Sequence, residues 1–307
     1  MLSSVNKFGG GIINGVQPVK HLSEIFKNNS SQVSVNVFSA MGKTTNNLES
    51  LVKANINRDK QESEKVLNNL LSFHINIALE LFPKGHVVFE HIESIFEKIR
   101  DTLANEEYFK NPTLLSDQII PYGEKLATLV VGNYFDYVGI PNKVIDATTF
   151  LKTDTNFGFA NVDKETTAEN LKLEISPSIL ESNKNIITQG FIGFCDYKFD
   201  NQELKLMTTL GREGSDYTAG LLGNILNVDR VILWKDVPGV MEGNPKLAGN
   251  ENVKKIDSMT YDQLENVLKS TAQGLVHPKT INEVKEKRIS LQVRPFWDLN
   301  NEGTIIS

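Results

Sequence analysis

The feature that most restricts the fold of this chain is its alternation of short apolar runs with longer segments of helical period. Val231-Ile232-Leu233-Trp234 is continuously apolar, as strands covered on both faces are in parallel sheets. Ile186 and Ile187 lead into Thr188-Gln189-Gly190-Phe191-Ile192-Gly193, which reads as a strand ending in a glycine-rich turn. Val33, Val35 and Val37 alternate with Ser34 and Asn36, the period of a strand, and Leu291, Val293 and Arg294 suggest another. Between them, the stretch from Glu64 to Phe82 places Leu67, Leu70, His74, Ile77 and Leu81 on one helical face. Thr260 to Leu275 carries a stripe of Leu264, Val267, Leu268 and Thr271, and Thr260 with Gln263 has capping-box spacing. Strands separated by helices predict an α/β fold around an open, mainly parallel sheet. Residues 55–112 are helix-rich and motif-poor, and are expected to form an accessory helical segment over one end of that sheet.

Length and composition narrow the classes. The 307 residues suit one large domain or two closely packed lobes, able to bury most of their apolar surface without staples. Cys195 is the single cysteine, so no intrachain disulfide can form, and a packed thiol without a base partner is expected there. The net charge of −6 leaves no basic footprint for nucleic acid. An acidic chain that binds a polyanion must supply positive groups and backbone donors locally. Met1 to Gly10 contains no long apolar run, and no stretch approaches the roughly 20 apolar residues that span a bilayer. A cytoplasmic protein without membrane contact is expected.

Five segments carry chemistry. In Lys7-Phe8-Gly9-Gly10-Gly11, glycines allow the backbone to approach phosphate oxygens, and a neighbouring lysine can neutralise a phosphoryl group in transfer; a simple flexible turn is the other reading. Ser39-Ala40-Met41-Gly42-Lys43-Thr44-Thr45 invites comparison with a P-loop, but that motif requires a glycine where Val37 stands. A strand end opening onto a helix N-terminus, with Ser39 and Thr45 offering hydroxyls to an anion, fits better, and plain helix capping fits equally. Pro121-Tyr122-Gly123-Glu124 opens a helix, where Glu124 alone reads as dipole matching. Thr208-Thr209-Leu210-Gly211-Arg212-Glu213-Gly214-Ser215-Asp216 is the most specific segment. A turn would explain its glycines but not Arg212, which can grip a carboxylate in a two-bond fork. Trp234-Lys235-Asp236-Val237-Pro238-Gly239-Val240-Met241, followed by Asn244-Pro245-Lys246, is a strand end and turn of the kind that binds nucleotides in open α/β sheets, or a simple turn.

Taken in this order, the segments resemble the aspartate kinase family of the amino acid kinase superfamily, from Lys7 to the stretch ending Thr304-Ile305-Ile306. The resemblance implies a three-layer α/β/α fold of the carbamate kinase-like type. It implies an aspartate-binding lobe over about 1–185 and a nucleotide-binding lobe over about 186–307. It implies ATP and magnesium as cofactors, L-aspartate as acceptor, and a place at the head of lysine, threonine and methionine biosynthesis. Lys7 then matches the transition-state lysine and Asp216 the acid beside it. Ser39, Thr45, Glu124, Arg212 and Ser215 match aspartate-binding positions. Gly9, Gly10, Gly11, Lys235, Asp236, Met241 and Lys246 fall on the phosphate and nucleotide side. Dimers are common in the superfamily.

Departures from the family pattern leave two further readings: a kinase-like protein that binds without catalysing, or a kinase for another carboxylate or a carbamate. Glu213 replaces a glycine, Lys235 a threonine, Met241 a tyrosine and Lys246 an arginine, and Gly274 stands where the family has a lysine. Lys235 is expected to supply part of the charge lost at Gly274. The chain ends at Ser307 without the paired ACT domains usual in the family, so no lysine or threonine inhibition through them is expected. His21, His74, His86, His91 and His277 show no metal-ligand spacing, His277-Pro278 is expected to shape a turn, and Lys285 to Arg288 to be a solvated helix end.

Overall fold

The computed structural model describes residues 2–28, 33–182, 185–199, 202–243, 253–271 and 275–307. The chain begins β1 (Ser4–Phe8), α1 (Val16–Asn28), β2 (Ser34–Phe38), α2 (Thr44–Ile56), α3 (Lys60–Leu81), α4 (Val88–Ala104), α5 (Glu106–Phe109) and α6 (Pro112–Ile119). It continues through α7 (Tyr122–Tyr137), β3 (Asn142–Ile145), α8 (Ala147–Phe150), α9 (Lys164–Ser182), β4 (Asn185–Gln189), β5 (Ile192–Phe199) and β6 (Gln202–Thr209). After these come α10 (Gly214–Leu226), β7 (Arg230–Lys235), β8 (Ser258–Met259), α11 (Tyr261–Thr271), α12 (Pro278–Glu286), β9 (Ser290–Pro295) and β10 (Thr304–Ile306).

Among the described residues the main sheet has the order β3-β4-β2-β1-β7-β9-β10-β8. Neighbours are parallel except at β9–β10, so the expected open, mainly parallel sheet is present. Its two faces are packed by different apolar clusters. Phe8, Phe38 and Trp234 pack with Leu126, Val130 and the helices from α1 to α7 on one side. Val5, Val35, Val231 and Leu233 pack with α9 to α12 on the other, which completes three α/β/α layers.

The valine alternation in β2 does not expose its polar members. All five residues are buried, and Asn36 donates to the Ile186 carbonyl at 2.9 Å while accepting from Asn6 at 3.0 Å. A strand at the centre of a doubly covered sheet must satisfy such groups sideways. The stretch after Gln189 also differs from the expected turn: only Gly190 and Phe191 break the chain, and Ile192 already begins β5, which pairs with β6 as a separate antiparallel hairpin. The capping box of α11 forms as expected, with Thr260 N–H donating to Gln263 Oε1 at 2.8 Å and Gln263 N–H to Thr260 Oγ1 at 3.3 Å. His277 caps α12 by accepting from the Lys279 N–H at 3.1 Å, and Pro278 occupies its first turn.

This topology decides where a site can lie. From β1 the chain crosses to β2 on one flank, whereas β7 lies on the other flank and pairs onward to β9. Ligands in open α/β sheets bind beyond the carboxyl ends of strands at such a reversal. Two glycines let the connecting segments close over that point. A Cβ on Gly10 would lie 2.3 Å from the Ala40 carbonyl oxygen, and one on Gly190 would lie 2.5 Å from Ser215 Cβ.

Candidate active site

Lys7 lies on the face of β1 that carries Val5 and meets α10, one residue before the strand ends. Asp216 sits in the first turn of α10 and Lys235 at the end of β7. The register that pairs Phe8 with Trp234 brings both lysines to one end of the sheet. There Lys7 Nζ is 2.7 Å from Asp216 Oδ1, and Lys235 Nζ donates to Asp216 Oδ2 at 2.9 Å. Asp216 is only 2% exposed. Burial alone would raise its carboxyl, but the two ammonium groups outweigh burial and hold it at about 2. Burial lowers the Lys7 amine, and Asp216 opposes that shift. An anion that restrains two cations at the mouth of two strands leaves their charge directed at whatever enters the cleft.

The cleft measures about 930 Å³, and its wall includes Lys7, Asp216 and Lys235. Ser39 and Thr45, Glu124, Arg212 and Ser215 line it as well, so the acceptor-side residues singled out in the sequence share one cavity with Lys7. Arg212 is exposed at the wall and Ser215 is buried in the helix start. Glu124 enters because α7 begins beside the β2–α2 loop: a Cβ on Gly123 would lie 2.9 Å from Ala40 Cβ. Glu124 Oε1 accepts from the Ala40 N–H at 3.1 Å, while its buried Oε2 has no hydrogen-bond partner. Burial pushes this carboxyl up to about 8, against the pull of the Ala40 N–H and Lys7. An unpartnered carboxyl oxygen in a cleft is a place for a ligand's cation.

Glu213, the N-cap of α10, adopts φ 58° and ψ 20°. That left-handed conformation is one that glycine adopts without strain, and a residue with a Cβ holds it at a cost. The Glu213 side chain is exposed and also lines the cleft.

The nucleotide-side candidates are less gathered. Gly9 and Gly10 turn directly after β1, where a Cβ added to Gly9 would lie 3.2 Å from Lys7 Nζ, and Gly11 is exposed. Asp236 is exposed just beyond β7, and Met241 is half-buried in an isolated bridge to Lys255. Lys246 and Gly274 lie outside the described residues. Sequence reasoning did not find Asp117 or Phe159 in the cleft wall, because neither belongs to a glycine or charge motif. It also placed Lys235 with the nucleotide without foreseeing its bond to Asp216. Cys195 is buried and burial pushes its thiol up to about 11, which suits a packed group and not a nucleophile. Among the described residues, no helix is long and apolar enough to cross a membrane.

Comparison with known proteins agrees with this geometry. A family model described as the amino acid kinase family matches residues 4–295. The chain is similar to lysine-sensitive aspartokinase 3 of Escherichia coli, 29% identical over 302 residues that cover 98% of this chain and 63% of that protein. It is similar to the chloroplastic aspartokinase 1 of Arabidopsis thaliana, 27% identical over 100% of this chain and 52% of that one. The chain thus spans between half and two thirds of the length of these curated relatives. Its fold superimposes with a TM-score of 0.85 on the crystal structure of E. coli aspartokinase III in complex with aspartate and ADP, at 27% identity, over 99% of this chain and 64% of that one.

Proposed function

Because the chain belongs to the amino acid kinase family, we propose that it transfers the γ-phosphoryl group of ATP to the side-chain carboxylate of L-aspartate, giving 4-phospho-L-aspartate. The observation that carries this reading is the single cleft that holds the Lys7–Asp216–Lys235 cluster together with Arg212 and Glu124. The similar protein from E. coli has been crystallised with aspartate and ADP, the ligand pair such a cleft would take.

Each residue then has a physical task. Arg212 grips one carboxylate of the amino acid through a two-bond fork. Glu124 takes the ammonium group, and Ser39, Thr45 and Ser215 steady the remaining oxygens. Lys7 offsets the repulsion between the acceptor carboxylate and the triphosphate, and the N–H groups of Gly9, Gly10 and Gly11 hold the moving phosphoryl group in line. The acceptor carboxylate is ionised at neutral pH, so no general base is required. Asp216 keeps both lysines in place through its two carboxylate oxygens. Lys235, Asp236 and Met241, all after residue 186, flank the nucleotide, while the acceptor lies between Ser39, Thr45 and Glu124 on one side and Arg212 and Ser215 on the other.

The donor set does not make a protein cage for magnesium. Among the described residues, no group of three or more His, Cys, Asp and Glu side chains could hold a metal ion, and Asp216 is already held by two lysines. A magnesium ion arriving with the nucleotide is left mainly to phosphate oxygens and water, and no step here runs through it.

Incubation of the purified protein with ATP, magnesium, aspartate and hydroxylamine tests the activity. Aspartyl hydroxamate should accumulate, and Lys7→Met should abolish it while leaving aspartate binding measurable. Turnover with a different carboxylate but not with aspartate would overturn the choice of acceptor.

A further inference from the structure

We propose that Asp117 is a positioning residue for the acceptor, setting the place of Arg212 by clamping the end of β6 to the loop at Gly158. This rests on the reading of the cleft as an amino-acid acceptor site. Asp117 is 1% exposed, in α6, and belongs to no motif. Its Oδ2 accepts from the Gly158 N–H at 2.9 Å and from the Thr209 N–H at 3.0 Å. Its Oδ1 accepts from the Thr209 hydroxyl at 2.7 Å. One carboxylate therefore holds two segments that are otherwise distant in the chain.

The neighbouring Gln118 extends the clamp. It donates to the Met207 carbonyl at 2.9 Å and accepts from the Met207 N–H at 3.2 Å. Two consecutive helical side chains thus bond β6 at alternate residues, as an adjacent strand would. The loop joins in, with the Ala160 N–H donating to the Thr209 carbonyl at 2.9 Å.

Directly beyond Thr209 runs the arm that carries Arg212. Gly211 has φ +80°, and a Cβ there would lie 2.5 Å from Phe159 Cδ1, so the Phe159 ring lies against this arm. Phe159 is 69% exposed and is held through the adjacent Gly158. Asp117 thus restrains the arm from both sides: directly through Thr209 and indirectly through Phe159. Burial pushes the Asp117 carboxyl up to about 6, while the Gly158 and Thr209 donors pull it back. In chain order the same segment runs on to Glu124, so one stretch sets both ends of the acceptor cleft.

The test compares Asp117→Ala with Asp117→Asn. The asparagine can still accept from both N–H groups through its oxygen while its amide donates to the Thr209 hydroxyl. In Asp117→Ala the aspartate KM should rise roughly tenfold to a hundredfold, the range expected when a binding group is displaced by about 1 Å. The ATP KM should stay within about twofold, and Asp117→Asn should restore most of the aspartate KM. In an Arg212→Ala background, Asp117→Ala should add little further effect, because it acts through the arginine. Should Asp117→Ala fail to fold, Thr209→Val removes one of the three bonds and should shift the aspartate KM in the same direction by a smaller factor.

An aspartate KM within twofold of the parent, an equal rise for ATP, or full additivity with Arg212→Ala would each overturn the inference. Absence of hydroxamate with the parent protein would instead count against the activity, and calorimetric aspartate binding would then read the same comparisons. A parent that neither binds nor turns over aspartate would remove both.

Discussion

At the scale of single residues, Glu124 makes the most distinctive prediction. Its carboxyl is held at about 8 by burial, so without a cation beside it the group is mostly protonated at pH 7. A raised folded-state value means that its contribution to stability is fully present below the ordinary carboxylate range and is lost as pH rises through 8. A ligand ammonium group reverses the preference and favours the ionised form. Binding of aspartate at pH 7 should therefore release about one proton, and affinity should climb between pH 6 and about 8. Calorimetry in buffers of different ionisation enthalpy reads the proton directly. Glu124→Gln should bind more weakly and lose the proton release, and an unchanged proton count in that variant would show that another group titrates. Arg212, by contrast, could be suspected from sequence because a glycine turn has no need of a guanidinium. The raised Glu124 carboxyl could not, since it comes from burial in the tertiary fold, against the pull of the Ala40 N–H, 84 residues away.

At the scale of elements, the close approach of α10 to the end of β4 is the most demanding contact. Gly190 lies against the backbone of Ser215, with an added Cβ only 2.7 Å from Ser215 Cα. No flexible side-chain tip is available to yield, so Gly190→Ala must push the start of α10 away from the sheet. Overpacking of this kind costs about 1–3 kcal/mol. It should also move Asp216 relative to Lys7 and lower turnover by tenfold or more. Urea unfolding and the hydroxamate assay measure the two effects, and an alanine variant with parental midpoint and rate would show that the contact is slack. The elements with strong local signals were legible: β7 from its apolar run, α3 from its stripe, and α11 from a capping box whose two reciprocal bonds form. The β5–β6 hairpin was not, because Ile192 and Gly193 follow a glycine and read as part of a turn. Its pairing depends on residues ten to seventeen positions further on.

At the scale of the whole molecule, the cleft couples segments from Lys7 to Lys235. A ligand that bridges the two sides should stabilise the fold as a unit. At a concentration of 100 Kd, aspartate should add about 2.7 kcal/mol and raise the melting temperature by a few degrees. Scanning calorimetry should show one transition shifted upward as a unit, and an unchanged transition with saturating aspartate would argue against a site that spans these segments.

The periodicities and the glycine-flanked arginine were enough, by themselves, to specify an α/β sheet, its main strands and the segments that carry charge. These are local properties, since a pattern of apolar residues or a turn is encoded by neighbours in sequence. Only the tertiary structure decided that Asp216 holds two lysines, that Glu124 is kept protonated and that Asp117 clamps the arm of Arg212. Each of these depends on burial and on partners brought close by strand order, and both desolvation and hydrogen bonding are set by distance in space, which spacing along the chain does not encode.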